Sequence, residues 1–378
     1  MYIKSLMYQD KSTNWKLESV PFKPLTLLVG ASGVGKTQIL KALLNLKNIS
    51  HGELFNGFKW EIEFLSNKGE DCKWCGEFES IVTSGTRFPF EPFPEPQWNY
   101  PNIYFENLFI NDKHIIKRDA KEIIFNGQKT VQLPQEKSTI YLLNEESLIK
   151  DIFESFEKIV FNNSFNDSNQ FPVFCQADDI ELKLNRYDSI ESIRNSKETI
   201  RNKFYLCCKK NYPIFNEIEN LFIDIFPSVE KITVDAISSI FNSIIPSIAI
   251  KEKGVLDWIH QNQISSGMFR SLMHIAELYL CADDTVILID EFENSLGINC
   301  INQVTRSILD SERNLQFIIT SHHPYIINDV GFEHWKIVTR NGSVVKAIDA
   351  EKFGIGRSKH QAFTQLANLA AFSEGTAN

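Results

Sequence analysis

Gly30-Ala31-Ser32-Gly33-Val34-Gly35-Lys36-Thr37 spells GxxxxGK[ST] and lies between a largely apolar run at 25–29 and a helix-forming stretch at 38–46. Strand, glycine turn and helix in that order make a phosphate cradle, the P-loop. The glycines let backbone N–H groups crowd round a phosphate, and the helix aims its positive end at the same place. Lys36 then reaches the β- and γ-phosphates of a nucleoside triphosphate, and the Thr37 hydroxyl goes to Mg²⁺. The eight residues Gly30, Ala31, Ser32, Gly33, Val34, Gly35, Lys36 and Thr37 are the first candidate contacts.

Further along, Thr285-Val286-Ile287-Leu288-Ile289 is an apolar strand that ends in Asp290 and Glu291. Beside a P-loop, Asp290 is placed to hold Mg²⁺ through water, and Glu291 to orient or deprotonate the attacking water. A second buried-type strand, 316–320, ends at Ser321-His322-His323-Pro324, and His322 is assigned to the γ-phosphate. Between the two halves, Ile264-Ser265-Ser266-Gly267-Met268 opens a helix that runs to about residue 280. Ser265 or Ser266 is a good N-cap, and small residues there leave the first amides open to an anion.

The 378 residues allow one large domain or two ordinary ones, and 43% hydrophobic content is normal for a globular chain. A net charge of −9 argues against a surface that is basic overall, so any nucleic-acid contact needs a local patch or a partner. The first residues lack a signal-peptide core, and no apolar run approaches the roughly 18 residues of a membrane helix. A cytoplasmic protein without a membrane partner is expected. Seven scattered cysteines fit reduced thiols. Cys72 and Cys75 fall in an alternating stretch and read as hairpin residues, since no second ligand pair completes a zinc site.

Residues 2–8 and 15–20 read as two strands that lead into the P-loop strand. Residues 58–65 and 74–81 alternate about a turn at 67–70 and form a hairpin. Four prolines in 88–96 make a surface loop. Strands continue at 103–110 and over Asn126-Gly127 within 122–133, and 139–143 reads as one more. Residues 145–160 carry helical spacing, and 179–226 is helical in character until Pro227. Strands follow at 232–237 and 245–250. After His322 come a strand at 335–339, a hairpin at Asn341-Gly342 and a helix at 359–369.

Taken in order, the P-loop, a large insertion, ISSGM, VILIDEFENSLG and ITSHHP resemble the ABC-type ATPases of the soluble branch that holds SMC and OLD-family proteins. The likeness covers most of the chain. It implies an α/β fold: an ABC-type P-loop ATPase head with a central, mostly parallel sheet, an antiparallel β subdomain and a helical insertion. The core is then 1–57 and 230–378, the antiparallel subdomain 58–144 and the insertion 145–229. The resemblance also implies ATP hydrolysis with Mg²⁺ at Thr37 and Asp290, catalysis by Glu291 and His322, and a two-fold dimer or higher oligomer. In it Ser265 meets the γ-phosphate of the opposite subunit, Ser266 stands where the first signature glycine is usual, and Gly267 matches the second. Asn294-Ser295-Leu296-Gly297 matches the D-loop. The Q-loop glutamine has no counterpart, because 139–143 ends at Asn144.

Within that branch the chain resembles the ATPase subunits of anti-phage systems such as Septu and PARIS. That likeness implies a separately encoded effector, a nuclease, with a nucleic acid or phage protein as trigger. A nuclease domain of the OLD type needs a glutamate and a DxD set, and the tail after His322 supplies only Ile348-Asp349-Ala350-Glu351. Two other classes were weighed. A DNA-repair ATPase of RecF or SMC type calls for a basic face or long coiled-coil arms, yet only Lys117-Arg118 and Lys209-Lys210 stand out, and both read as solvated surface cations. A transporter nucleotide-binding subunit calls for a compact chain, and the stretch between Thr37 and Ser265 is too long.

Overall fold

The computed structural model describes residues 1–81, 100–162, 175–176, 184–238, 243–293, 304–306, 308–309, 313–355 and 359–375. The proline-rich stretch 88–96 and the segment Asn294-Ser295-Leu296-Gly297 lie outside the described residues, as does the start of the helical stretch read from 179.

A hairpin of β1 (Tyr2–Asp10) and β2 (Trp15–Pro21) leads into β3 (Leu25–Val29), the P-loop and α1 (Lys36–Ser50). An antiparallel series follows: β4 (Phe58–Leu65), β5 (Asp71–Phe78), β6 (Ile103–Ile110), β7 (Lys113–Arg118), β8 (Ile123–Phe125) and β9 (Gln128–Lys129). Helices α2 (Thr139–Leu142) and α3 (Ser147–Glu157) precede β10 (Ile159–Asn162) and the short β11 (Cys175–Gln176). Next come α4 (Ile190–Arg194), α5 (Ile200–Lys209), α6 (Pro213–Ile225), β12 (Val229–Ser238), β13 (Ser243–Glu252) and β14 (Ile259–His260). The chain ends through α7 (Ser266–Leu280), β15 (Val286–Ile289), β16 (Gln316–Thr320), α8 (Pro324–Asp329), β17 (Trp335–Asn341), β18 (Val344–Asp349), α9 (Lys359–Asn368) and α10 (Ala370–Ser373).

The larger sheet has the order β10-β15-β16-β3-β17-β18-β2-β1-β4-β5-β6-β7-β8-β9. Its first five strands are mutually parallel. Parallel strands are covered on both faces, and every residue of β3, β15 and β16 is accordingly buried. Alternate side chains enter opposite cores. Leu28, Val286, Leu288 and Ile318 pack in the cluster that holds Ile39, Leu40, Leu43 and Leu46 of α1. Leu27, Val29, Ile287, Ile289 and Ile319 belong to the cluster that holds Phe204, Ile218, Phe222, Leu272 and Ile275 of α5, α6 and α7. From β1 outward the larger sheet continues as antiparallel pairs. Strands β11, β12, β13 and β14 make a second, smaller sheet. The fold is thus α/β with a parallel centre and a long antiparallel extension.

Three local expectations change. Residues 139–142 form helix α2 rather than a strand, because side chains satisfy its first amides. Ser138 caps Ile140 N–H at 3.2 Å, and the Glu106 carboxylate accepts from Thr139 N at 2.7 Å. The helix expected over 145–160 ends at Glu157, and Ile159, Val160 and Phe161 instead make an edge strand against β15. Arg118 is not a solvated cation. Strand alternation turns it inward, where it lies 3.5 Å from the fully buried Glu106 and donates to the carbonyls of Lys137, Pro134 and Gln135.

Candidate functional site

Strands β15, β16 and β3 are neighbours and parallel, so their carboxyl ends share one edge of the sheet. That edge is where open α/β sheets bind ligands. It receives the P-loop after β3, Asp290 and Glu291 after β15, and Thr320, Ser321 and His322 at the end of β16.

The P-loop needs its glycines for two different reasons. A Cβ on Gly30 would come to 2.5 Å from the Val338 carbonyl oxygen, so only glycine lets the loop pass this close to β17. Gly35 takes φ 106°, a region that disfavours side chains, and delivers the chain into α1. No side chain caps α1, which leaves its N-terminal amides to a phosphate. Lys36 folds back over the loop, and its Nζ donates to Gly30 O at 2.7 Å and Ala31 O at 2.9 Å. Burial lowers the Lys36 ammonium, and the charges of Glu293, Asp290 and Glu291 oppose that.

A chain of hydrogen bonds joins the three strand ends. Thr37 Oγ1 donates to Asp290 Oδ1 at 3.1 Å, and Thr320 Oγ1 donates to the same oxygen at 2.6 Å. The Thr320 hydroxyl also accepts from Glu291 N–H at 2.8 Å. Glu291 has a left-handed backbone, φ 46°, which is uncommon for a residue with a Cβ. That turn leaves its carboxylate at the exposed rim while the main chain is tied down. His322 follows, and its ring Nδ1 lies 2.9 Å from Glu293 Oε1.

The helix that begins at Ser266 enters from the other side. Ser265 is its N-cap and accepts from Met268 N at 3.3 Å, and both Ser265 and Ser266 are exposed. One turn further in, Arg270 is buried and reaches Glu291 O with Nη2 at 3.4 Å. Burial pulls this guanidinium down to about 10 against the pull of Glu293, Glu291 and Asp290. Its Nε donates to His274 Nε2 at 3.3 Å. Burial, with Arg270 adding to it, holds His274 down at about 3, so that imidazole is neutral and accepts.

The residues predicted from the sequence therefore fall into two groups. Thr37, Asp290 and Glu291 are linked through hydrogen bonds at one sheet edge, together with the P-loop and His322. Ser265, Ser266 and Gly267 stand at the head of α7 and touch the first group through Arg270. Thr320, Arg270 and Glu293 were not read as site residues. Each had a signal: a polar residue closing a buried strand, a cation one turn into the ISSGM helix, and a third carboxylate in Asp290-Glu291-Phe292-Glu293.

Residues 25–328 match the family described as "AAA domain, putative AbiEii toxin, Type IV TA system". The chain belongs to this AAA-domain family. The AAA-domain chain is a P-loop ATPase, and nucleotide binding follows from its family and its P-loop. A search of curated proteins finds no match. Among solved structures, the chain is similar to an Smc head bound to the C-winged helix domain of ScpA, with 16% identity and a TM-score of 0.49 over 92% of this chain and 97% of that one. It is similar to an Smc head from Pyrococcus furiosus with an extended coiled coil, bound to the C-terminal domain of ScpA, with 15% identity and a TM-score of 0.47 over 93% and 98%. It is also similar to an SMC head domain from Thermotoga maritima, with 12% identity and a TM-score of 0.42 over 92% and 99%. Among the described residues of this ATPase, no helix is long and apolar enough to cross a membrane.

Proposed function

We propose that the chain hydrolyses Mg²⁺·ATP in a site completed by a second copy, and that the cycle controls a separately encoded effector, a nuclease, in cytoplasmic anti-phage defence. The observation that carries the ATP chemistry is the chain of bonds Thr37–Asp290–Thr320–Glu291 at the mouth of the P-loop. Thr37 Oγ1 and Asp290 Oδ1 are oxygen donors 3.1 Å apart, the hard ligands that Mg²⁺ takes alongside its retained waters. Bound there, Mg²⁺ would supply neutralisation of phosphate charge. Lys36 and the P-loop amides hold the phosphates, Glu291 orients or deprotonates water, and His322 contacts the γ-phosphate. Ser265, Ser266 and Gly267 of the opposing copy complete the site.

The defence reading is supported by the matched family, whose description names a component of a type IV toxin–antitoxin system. Docking surfaces for the effector are assigned to the insertion at 179–226 and, from its sequence alone, the proline-rich stretch 88–96, since the P-loop, Asp290, Glu291 and His322 all lie elsewhere in the chain. A nucleic acid or a phage protein is the trigger. The shared site is tested by mixing Lys36→Ala and Ser265→Arg proteins, each expected to be inactive alone. After subunit exchange the mixture contains sites with one intact P-loop and one intact signature, and part of the ATPase activity should return. No recovery where exchange is demonstrated would mean either that the site is not shared or that the two sites must fire together. The effector reading is tested by incubating the purified chain with DNA and RNA, Mg²⁺ and ATP. Cleavage that disappears when a carboxylate outside the ATP site is mutated would place the nuclease in this chain instead.

A further inference from the structure

Glu293 is the third carboxylate of the segment after β15, and both of its oxygens are in unusual positions. Oε1 accepts from the His322 main-chain N–H at 2.9 Å and lies 2.9 Å from His322 Nδ1. Oε2 is buried and has no hydrogen-bond partner among the described residues. The Glu293 side chain is 9% exposed, whereas that of His322 is 59% exposed. Of the three carboxylates here, Glu293 acts most strongly on both Lys36 and Arg270. Arg270 has its own buried and unpartnered nitrogen, Nη1, among the described residues.

A buried carboxylate oxygen without a donor is unfavourable unless cations stand close by. The charge of Glu293 reaches two, Lys36 of the P-loop and Arg270 of α7, and raises both against the effect of burial. Its other oxygen grips an exposed ring across a gap between two strand ends. A carboxylate on Nδ1–H fixes both the rotamer of an imidazole and the nitrogen that carries the proton. Nε2 is then the ring atom left to meet a ligand.

We propose that Glu293 is a positioning residue for ATP hydrolysis: it orients His322 through Nδ1 and the main-chain N–H. This rests on reading His322 as the γ-phosphate contact. Neither the glutamate that activates water nor the Mg²⁺ ligands are involved. The role makes Glu293 a tie between the segment after β15 and the histidine after β16.

The test is a double-mutant cycle on the full-length protein, read by ATP turnover and by the ¹⁵N spectrum of the histidine rings. Glu293→Ala should lower kcat by about tenfold to a hundredfold, the cost of misplacing a group near the reacting phosphate. KM for ATP should stay within about threefold, because the P-loop amides are untouched. Adding Glu293→Ala to His322→Ala should cost nothing further. The His322 signal, assigned from its loss in the His322→Gln protein, should show a protonated Nδ1 that disappears in Glu293→Ala. Glu293→Gln, nearly the same shape, guards against misfolding: it keeps an acceptor for Nδ1–H and should recover most of the lost kcat. Losses that multiply in the double mutant, or an unchanged His322 ring signal, overturn the proposal. Wild-type turnover in His322→Ala overturns the γ-phosphate reading itself, a distinct result.

Discussion

Thr320→Val tests whether one hydroxyl holds the catalytic edge together. The hydroxyl donates to Asp290 and accepts from Glu291 N–H, and valine fills the same volume with neither function. Thr320 is buried, so water cannot take its place without rearrangement. Losing the bond to the charged Asp290 costs about 1.5–3 kcal/mol, and the stranded Glu291 N–H adds about 1–3 kcal/mol. The Glu291 backbone sits in the left-handed region, a conformation that costs about 1–3 kcal/mol and persists only while its surroundings enforce it. Without Thr320 that turn relaxes, and the Glu291 carboxylate leaves its place. If about 1.5–3 kcal/mol of this appears in the chemical step, kcat falls roughly ten- to a hundredfold, since each 1.36 kcal/mol is tenfold. Steady-state ATP turnover measures kcat, and equilibrium binding of a fluorescent ATP analogue measures affinity, which should change by less than about threefold. Thr320→Ser, which retains both bonds, should stay close to wild type. A Thr320→Val protein with normal kcat, or one whose defect lies wholly in nucleotide affinity, would refute the reasoning.

Glu106→Ala should lower the thermal unfolding midpoint sharply, because it strands the buried Arg118 and the donors of Trp74, Ser138 and Thr139; breaking such a pair costs about 3–5 kcal/mol. Scanning calorimetry checks this, and an unchanged midpoint would mean that the network contributes nothing. Burial pushes the thiols of Cys72 and Cys207 up to about 12 and that of Cys281 up to about 11, so thiolate is scarce at pH 8 and forms only as the pH approaches those values. Iodoacetamide labelling followed by mass spectrometry should leave these three untouched in native protein at pH 8 and modify them in denaturant; rapid native labelling would contradict their burial.

The parallel centre of the fold was legible because its strands are apolar at every position, and such runs announce burial on both faces. The meeting of the P-loop, Asp290 and Glu291 at one sheet edge was legible for a related reason: each motif coincides with a strand end. What could not be read is where residues remote in sequence supply the decisive bond. The run 139–143 looks like a strand, and it is a helix because Glu106, on β6, accepts from Thr139 N. Arg118 looks like a surface cation beside Lys117 until the strand β7 is recognised and its alternation turns one of the two inward. Thr320 closes an apolar strand and shows its role only once β16 is seated between β15 and β3.

The four residues from Asp290 to Glu293 hold three carboxylates in three different environments, and the sheet edge is what separates them. Asp290 takes two hydroxyl donors on one oxygen, which aims its carboxylate at Thr37. Glu291 is held by its main chain, N–H to Thr320 and carbonyl to Arg270, so its carboxylate is spared for the ligand side. Glu293 turns back inside and holds His322. Phe292, fully buried between them, packs beside His274 with ring centroids 5.6 Å apart and pins the segment to α7. α7 therefore meets this segment at two points, through Arg270 on the Glu291 carbonyl and through His274 on the Phe292 ring. The head of α7 and the segment after β15 are thereby joined by packed and hydrogen-bonded contacts, the physical route that coupling between them would need.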